Sequence, residues 1–93
     1  MISVRRKPLD PYGAKLRGRG VVKKFNPELG WGSIKAVDTP WDIWVHFSAI
    51  EGEGYKQLKK GQAVAVDYER AKQDGYKYAA TKVRVLPEGE PYN

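Results

Sequence analysis

The sequence predicts an all-β fold in which five short strands close into a small barrel. Five segments are rich in β-branched and aromatic residues, turn signals separate them, and no segment keeps a helical period. The chain has 93 residues, which suggests one domain. The predicted strands are VVKKF (21–25), WGSIKAV (31–37), DIWVHFSAI (42–50), AVAVDYE (63–69) and YKYAATKVRVL (76–86).

Turn-forming residues mark where each predicted strand ends. NPELG, with Pro27 and Gly30, follows the first strand, DTPWD the second, a glycine-rich loop (51–62) the third, and RAKQDG the fourth. Period-two alternation then assigns faces within the last two strands. One predicted face carries Val64, Val66 and Tyr68, and another carries Thr81, Val83 and Val85.

Composition excludes several classes of protein. There is no cysteine, so neither a disulfide nor a cysteine zinc site can stabilise the chain, which is compatible with the cytoplasm. We therefore expect a cytoplasmic protein. The longest apolar run is too short to cross a membrane, and MISVRRKPLD lacks the apolar stretch of a signal peptide.

The positive charge is concentrated near the N-terminus. Of the net charge of +6, residues 1–20 hold six Lys/Arg against one acidic residue, whereas residues 21–93 hold eleven against ten. Residues 1–17 are predicted to be a flexible basic arm, 18–86 the barrel and 87–93 a flexible tail. Such an arm either contacts nucleic acid or another acidic surface, or only keeps the protein in solution.

Alternation also predicts an aromatic outer surface on the second and third strands. The aliphatic residues Ile34, Ile43 and Val45 share a phase and make a natural core. Trp31, Trp44 and His46 then point away from the core, unless the rings form the core and the aliphatic residues face outward. Clustered exposed rings usually mark a binding site. Gly30 and Gly32 would let a flat ligand approach the backbone.

A flat ligand attracted to positive charge suggests nucleic acid. Nucleobases stack on aromatic rings while basic side chains follow the phosphates. Lysines within reach of the predicted rings are Lys23, Lys24, Lys35, Lys56, Lys59 and Lys60. The expected partners are therefore single-stranded RNA and DNA, with no membrane and no small-molecule substrate.

From Gly18 to Leu86 the chain resembles a bacterial cold-shock domain. GWGSI resembles the first RNA-binding motif of that family, IWVHFSAI resembles the second, and EGEGYKQLKKGQAV resembles the loop and fourth strand that follow. The resemblance implies a five-stranded antiparallel OB-type barrel that binds single-stranded RNA and DNA. It also implies an RNA chaperone, or a regulator of transcription and translation, expected to act as a monomer.

The resemblance assigns roles to individual residues. It implies base stacking by Trp31, Trp44, His46, Phe47 and Tyr55, backbone or base-edge contact by Lys23, and an aromatic edge at Phe25. Alternation alone puts Phe47 on the core face, and a local bulge near the strand end would reconcile the two predictions.

Three positions depart from the family pattern. Lys24 replaces a tryptophan, Ser33 an aromatic residue and Leu29 a lysine. Trp41 is an additional aromatic, which either supplies a substitute stacking platform or caps the barrel. The primary candidates are Lys23, Lys24, Phe25, Trp31, Trp44, His46, Phe47 and Tyr55, and the secondary ones are Ser33, Lys35, Trp41 and Lys56.

Catalysis is not expected. The chain has one histidine, no phosphate-binding Gly-Lys-Ser/Thr loop and no carboxylates that can be placed together in one cleft, so we expect neither an enzyme nor a metal or other cofactor. The alternative function is a protein-interaction barrel that binds a peptide or a polymerase surface through the same aromatic face. A duplex-binding regulator is disfavoured because no recognition helix is predicted.

Overall fold

The computed structural model describes residues 9–52 and 57–87, and within them five strands form a closed barrel. The strands are β1 (Lys15–Asn26), β2 (Trp31–Ala36), β3 (Ile43–His46), β4 (Ala63–Gln73) and β5 (Tyr76–Val85). One turn of 3-10 helix, Phe47–Ala49, follows β3. The predicted all-β, five-stranded barrel is confirmed. Within the described ranges, no helix has the length and apolar character needed to cross a membrane.

One pair of neighbouring strands is parallel, which the prediction of an antiparallel barrel missed. The order around the barrel is β1-β2-β3-β5-β4, and β3 runs parallel to β5 with Ile43 opposite Tyr78. The reason is topological: strand directions cannot alternate all the way around a closed ring with an odd number of members. At least one parallel neighbour pair is therefore required.

The interior of the barrel contains the predicted aliphatic residues. Ile34, Ile43 and Val45 are each 0% exposed, so the predicted core face of β2 and β3 is confirmed. The other strands add the buried residues Val22, Val64, Val66, Tyr68, Tyr78 and Val83, and the loop before β4 adds Leu58. The predicted shared face of β4, with Val64, Val66 and Tyr68, therefore points inward.

The predicted face of β5 is only partly correct. Val83 is buried, but Thr81 is exposed and Val85 is 38% exposed. The pairing of β4 with β5 shifts register at this point, because Asp67 lies opposite Lys82 whereas Tyr68 lies opposite Ala80. The unpaired Thr81 is an extra residue in the strand, and it interrupts the period-two pattern on which the prediction depended.

The barrel begins earlier than predicted. β1 starts at Lys15, and residues 15–21 pair with residues 63–69 of β4. Two cations of the predicted arm form ion pairs with β4, Lys15 with Glu69 at 2.8 Å and Arg17 with Asp67 at 3.1 Å. Residues 15–17 of the predicted arm are therefore part of β1 in the structure, where alternating cations on the outer face of a strand resemble a polar tail in sequence. Residues 1–8 and 88–93 lie outside the described residues.

The segment before β1 also contacts the barrel. The hydroxyl of Tyr78 donates a hydrogen bond to Asp10 Oδ2 at 2.8 Å, and the Arg70 guanidinium donates to the Asp10 carbonyl at 2.9 Å. The same guanidinium lies 4.4 Å from the centre of the Tyr12 ring. These contacts hold the segment against β4 and β5.

We expect the Tyr78→Phe substitution to destabilise the protein by about 1 kcal/mol, because it removes the hydroxyl that anchors Asp10. Tyr78 is 1% exposed, and its burial is the largest cause that raises the pKa of its hydroxyl. Tyr12→Phe is the matched control, since Tyr12 is 65% exposed and should change stability by less than about 0.5 kcal/mol. Urea unfolding measures both, and equal losses would show that the Asp10 anchor contributes nothing specific.

Candidate nucleic-acid interface

An extra residue in β1 places two lysines side by side on the outer surface of the barrel. Val22 lies opposite Ile34 of β2, but Lys24 lies opposite Ser33, so Lys23 has no partner in the ladder. Such a bulge sends two successive side chains toward the same face. Lys23 and Lys24 are both exposed there.

Five aromatic side chains form a continuous row on this outer surface, which we call the ring row: Tyr76, Trp31, Trp44, His46 and Phe47. Adjacent ring centres are separated by 6.2, 6.4, 5.9 and 4.4 Å in that order. Trp44 is nearly parallel to both of its neighbours, at 28° to Trp31 and 19° to His46. These are the distances and angles of favourable stacking.

Strand pairing explains how the centre of the ring row is assembled. Trp31 lies opposite His46, and Trp44 lies opposite Ser33, so their side chains leave the sheet on the same face. Trp31, Trp44 and His46 are each partly exposed, while their sequence neighbours Gly32 and Val45 are buried. The predicted outward orientation of these three rings is confirmed.

Phe47 joins the ring row because β3 ends at His46. Phe47 begins the 3-10 turn and is 47% exposed, so the end of the strand, and not the predicted bulge, brings it to the surface. The backbone N–H of Ser48 donates to His46 Nδ1 at 3.2 Å and fixes the imidazole at the start of this turn. The same Nδ1 lies 2.8 Å from the hydroxyl oxygen of Ser48.

At the two glycines near the ring row, the space that a side chain would need is occupied by other parts of the protein. Gly30 has φ +78°, and a Cβ there would lie 3.0 Å from Cδ1 of Phe47. A Cβ on Gly32 would lie 2.1 Å from the carbonyl oxygen of Lys24, in the backbone of β1. The expectation that Gly32 opens the backbone to a flat ligand is therefore wrong, because β1 occupies that space.

Two of the secondary candidates occupy different environments. Ser33 is 0% exposed, and its hydroxyl has no hydrogen-bond partner in the described structure, so it is not available to a ligand in this conformation. Trp41 is partly buried, with its ring centre 6.3 Å from that of Tyr78, and it packs against the core. Trp41 thus caps the barrel, while its outer side borders a groove of about 520 Å³.

The three lysines near the ring row differ in the contacts that their ammonium groups make, and hence in how readily each can bind a phosphate. Lys24 Nζ lies 5.8 Å from the centre of the Trp31 ring. Lys23 Nζ lies 2.8 Å from Asp42 Oδ2, and this hydrogen-bonded carboxylate raises the pKa of Lys23 above its ordinary value. The ammonium group of Lys23 is therefore charged at neutral pH. Lys35 is exposed.

A small cavity lies beside Trp31, the second ring of the ring row. Phe25 is partly buried against the core, and with Leu29 and Trp31 it lines a cavity of about 220 Å³. The side of Trp31 next to this cavity is thus flanked by apolar carbon. The candidates Tyr55 and Lys56 lie outside the described residues, so their positions are not part of this geometry.

Tyr76 is the member of the ring row that was not predicted from the sequence. It shares its strand phase with the buried Tyr78, so alternation would place it inside the barrel. However, Tyr76 is the first residue of β5, and the pairing of β4 with β5 shifts between Arg70 and Gln73. The irregular hairpin places Tyr76 against Trp31. No local sequence signal predicts this irregularity.

The arrangement offers flat apolar surfaces beside positive charge. Among the described residues, no three His, Asp or Glu side chains are grouped so that they could hold a metal ion. The rings are therefore suited to stacking and the lysines to phosphate, which is what an unpaired nucleotide presents.

Comparison with known proteins gives consistent matches. The family model of the 'Cold-shock' DNA-binding domain matches residues 18–86. A cold shock-like protein of Aquifex aeolicus is 44% identical over 70 residues, which cover 75% of this chain and 96% of that protein. Cold shock-like protein CspC of Escherichia coli K12 is 45% identical over 64 residues, covering 69% and 84%. Cold shock protein CspB of Geobacillus stearothermophilus is 51% identical over 49 residues, covering 53% and 73%.

Proposed function

The chain belongs to the cold-shock DNA-binding domain family, and we propose that its ring row binds single-stranded RNA and DNA by stacking unpaired bases. The observation that supports this most strongly is the unbroken succession of five partly exposed rings, with Lys24 beside Trp31. A surface of this kind accepts any base, because every base has a flat π face.

The proposed mechanism is passive. Each base that leaves its own stack for a protein ring gains about 1–3 kcal/mol, and several such contacts must offset the cost of ordering the strand. A protein that holds single strands in this way opposes RNA secondary structure. We therefore propose an RNA chaperone that acts in transcription and translation. Proteins of this family bind nucleic acid and are not enzymes, so the proposed mechanism includes no catalytic step.

We expect single-stranded oligonucleotides to quench the tryptophan fluorescence strongly, because Trp31 and Trp44 lie in the ring row. The measured affinity should fall as salt rises, with a logarithmic slope of about −0.7 for each phosphate that a lysine neutralises. The matched control is the same sequence as a duplex, whose bases cannot reach the rings. No fluorescence change at saturating RNA and DNA would contradict the proposal. A salt-insensitive complex with a peptide would instead favour a protein-interaction barrel.

A further inference from the structure

A second concave surface adjoins the ring row on the same side of the barrel. This groove has a volume of about 520 Å³ and is lined by Val21, Val22, Lys23, Lys35, Pro40, Trp41 and Asp42. It combines one large ring, two cations and aliphatic carbon. We call it the Trp41 groove.

We propose that the Trp41 groove is an additional nucleotide-binding site, which takes one base of a single strand against Trp41 and its phosphate at Lys23 and Lys35. This inference rests on the proposed function, because it extends the path of a strand already held by the ring row. It assigns a ligand-binding role to a tryptophan whose position in the barrel is otherwise that of a cap.

The strand register makes the Trp41 groove continuous with the ring row. Lys35 lies two residues beyond Ser33 on the outer face of β2, and Ser33 lies opposite Trp44. Asp42 lies two residues before Trp44, a separation of about 7 Å along extended chain. A nucleic-acid strand that turns away from the ring row at Trp44, its central ring, and continues along this face therefore meets the groove next.

Charge favours a nucleotide over an apolar or cationic ligand. The groove holds two lysines and one carboxylate, and the Lys23–Asp42 pair is largely exposed on the lysine side. A phosphate can accept a hydrogen bond from the ammonium group of Lys23 together with Asp42, or replace that carboxylate. The exposed Lys35 can contact the same phosphate.

The position of Trp41 is well fixed, as a stacking platform requires. Its ring packs on Tyr78, whose hydroxyl is held by Asp10. The same contact brings the N-terminal segment to this part of the barrel.

The decisive experiment uses the fact that the chain has three tryptophans, Trp31, Trp41 and Trp44. In the double variant W31F/W44F, the ring row keeps flat rings and Trp41 is the only fluorescent indole. We expect an oligothymidylate of about ten nucleotides to quench Trp41, and one of about four nucleotides to quench it much less, since these lengths span the site sizes of such barrels. Binding of both is measured independently by the anisotropy of a label on the oligonucleotide.

A second set of variants tests the energy of the contact. Trp41→Leu keeps an apolar cap on Tyr78 but removes the flat ring, so we expect the long oligonucleotide to bind about fivefold to a hundredfold more weakly. Trp41→Phe should retain most of the affinity. Lys35→Gln should lower the salt slope by about 0.7, whereas Lys82→Gln, whose lysine is paired with Glu51 outside the groove, should leave it unchanged.

The outcomes separate the two proposals. If the long oligonucleotide binds but the emission of Trp41 and the affinity of Trp41→Leu stay unchanged, the groove is not a nucleotide site and the ring row remains one. If neither oligonucleotide binds the wild-type protein, the proposed function itself is wrong. Because the emission experiment retains Trp41, a failure of Trp41→Leu to fold does not prevent the test.

Discussion

Gly32→Ala is expected to destabilise the barrel by about 3 kcal/mol, at the upper end of the usual cost of overpacking. A Cβ at this position would lie 2.1 Å from the carbonyl oxygen of Lys24 and 2.6 Å from Cα of Phe25. Both contacts are with the backbone of β1, so no side-chain rotation can relieve them. The two strands would have to separate next to the bulge. A small domain has only about 5–15 kcal/mol of stability to lose.

Gly18→Ala is the matched control for this substitution. Gly18 is also a strand glycine, but the atom nearest to a Cβ there is a carboxylate oxygen of Asp38, at 3.0 Å, which is the terminal atom of a side chain and not part of a neighbouring strand's backbone. We expect its stability to change by less than about 0.5 kcal/mol. Thermal or urea unfolding of both variants gives the comparison. Equal stabilities for the two variants would mean that β1 and β2 do not approach each other as closely as the structure shows.

The close approach at Gly32 also has a consequence for binding. It lies next to the bulge that turns both Lys23 and Lys24 outward, because pairing resumes with Lys24 opposite Ser33 and continues with Phe25 opposite Gly32. A Gly32→Ala variant that still folds should therefore show a changed salt dependence as well as lower stability. Barrel closure and the position of the lysines beside the rings depend on the same two strands.

The parts of the interface that follow strand alternation were predictable from sequence. Ile34 and Val45 face the interior while Trp31 and Trp44 face outward, because successive side chains of a regular strand point to opposite faces of the sheet. The same rule failed wherever a strand stops or shifts register. Phe47 is exposed because β3 ends before it.

Longer-range features had no local signal. Tyr76 reaches Trp31 because the β4–β5 hairpin is irregular, and Lys15 belongs to β1 because Glu69 lies opposite it. Composition around Lys15 indicates only a polar segment, since the strand with which it pairs, residues 63–69 of β4, lies far away in the chain. Pairing partners of this kind are properties of the closed barrel and not of any one segment.

The short strand β3 combines binding and stability in adjacent residues. Trp44 lies between Trp31 and His46 in the ring row, whereas Val45 is 0% exposed in the core. Successive side chains of a strand point to opposite faces, so one residue can be changed with limited effect on the other's environment. This makes the pair a direct test of the assignment of the two faces.

Trp44→Ala is expected to weaken binding of single strands by about 1–3 kcal/mol, because it removes the central platform of the ring row. Its effect on stability should be smaller, since the indole is partly exposed and its N–H is buried without a hydrogen-bond partner among the described residues. Val45→Ala should destabilise the protein by about 1–3 kcal/mol through the cavity it leaves. At urea concentrations below its unfolding transition, Val45→Ala should bind single strands with nearly wild-type affinity.

Both variants are measured in the same way, by urea unfolding and by the anisotropy of a labelled oligonucleotide at fixed salt. Trp44→Phe serves as the conservative control, because a smaller flat ring should recover most of the lost affinity if stacking is the cause. If Trp44→Ala lost mainly stability and Val45→Ala mainly affinity, the inner and outer faces of β3 would be assigned the wrong way round. If both variants lost affinity only in proportion to the unfolded fraction, the ring row would be a structural cluster, because a binding surface must lose affinity while the protein stays folded.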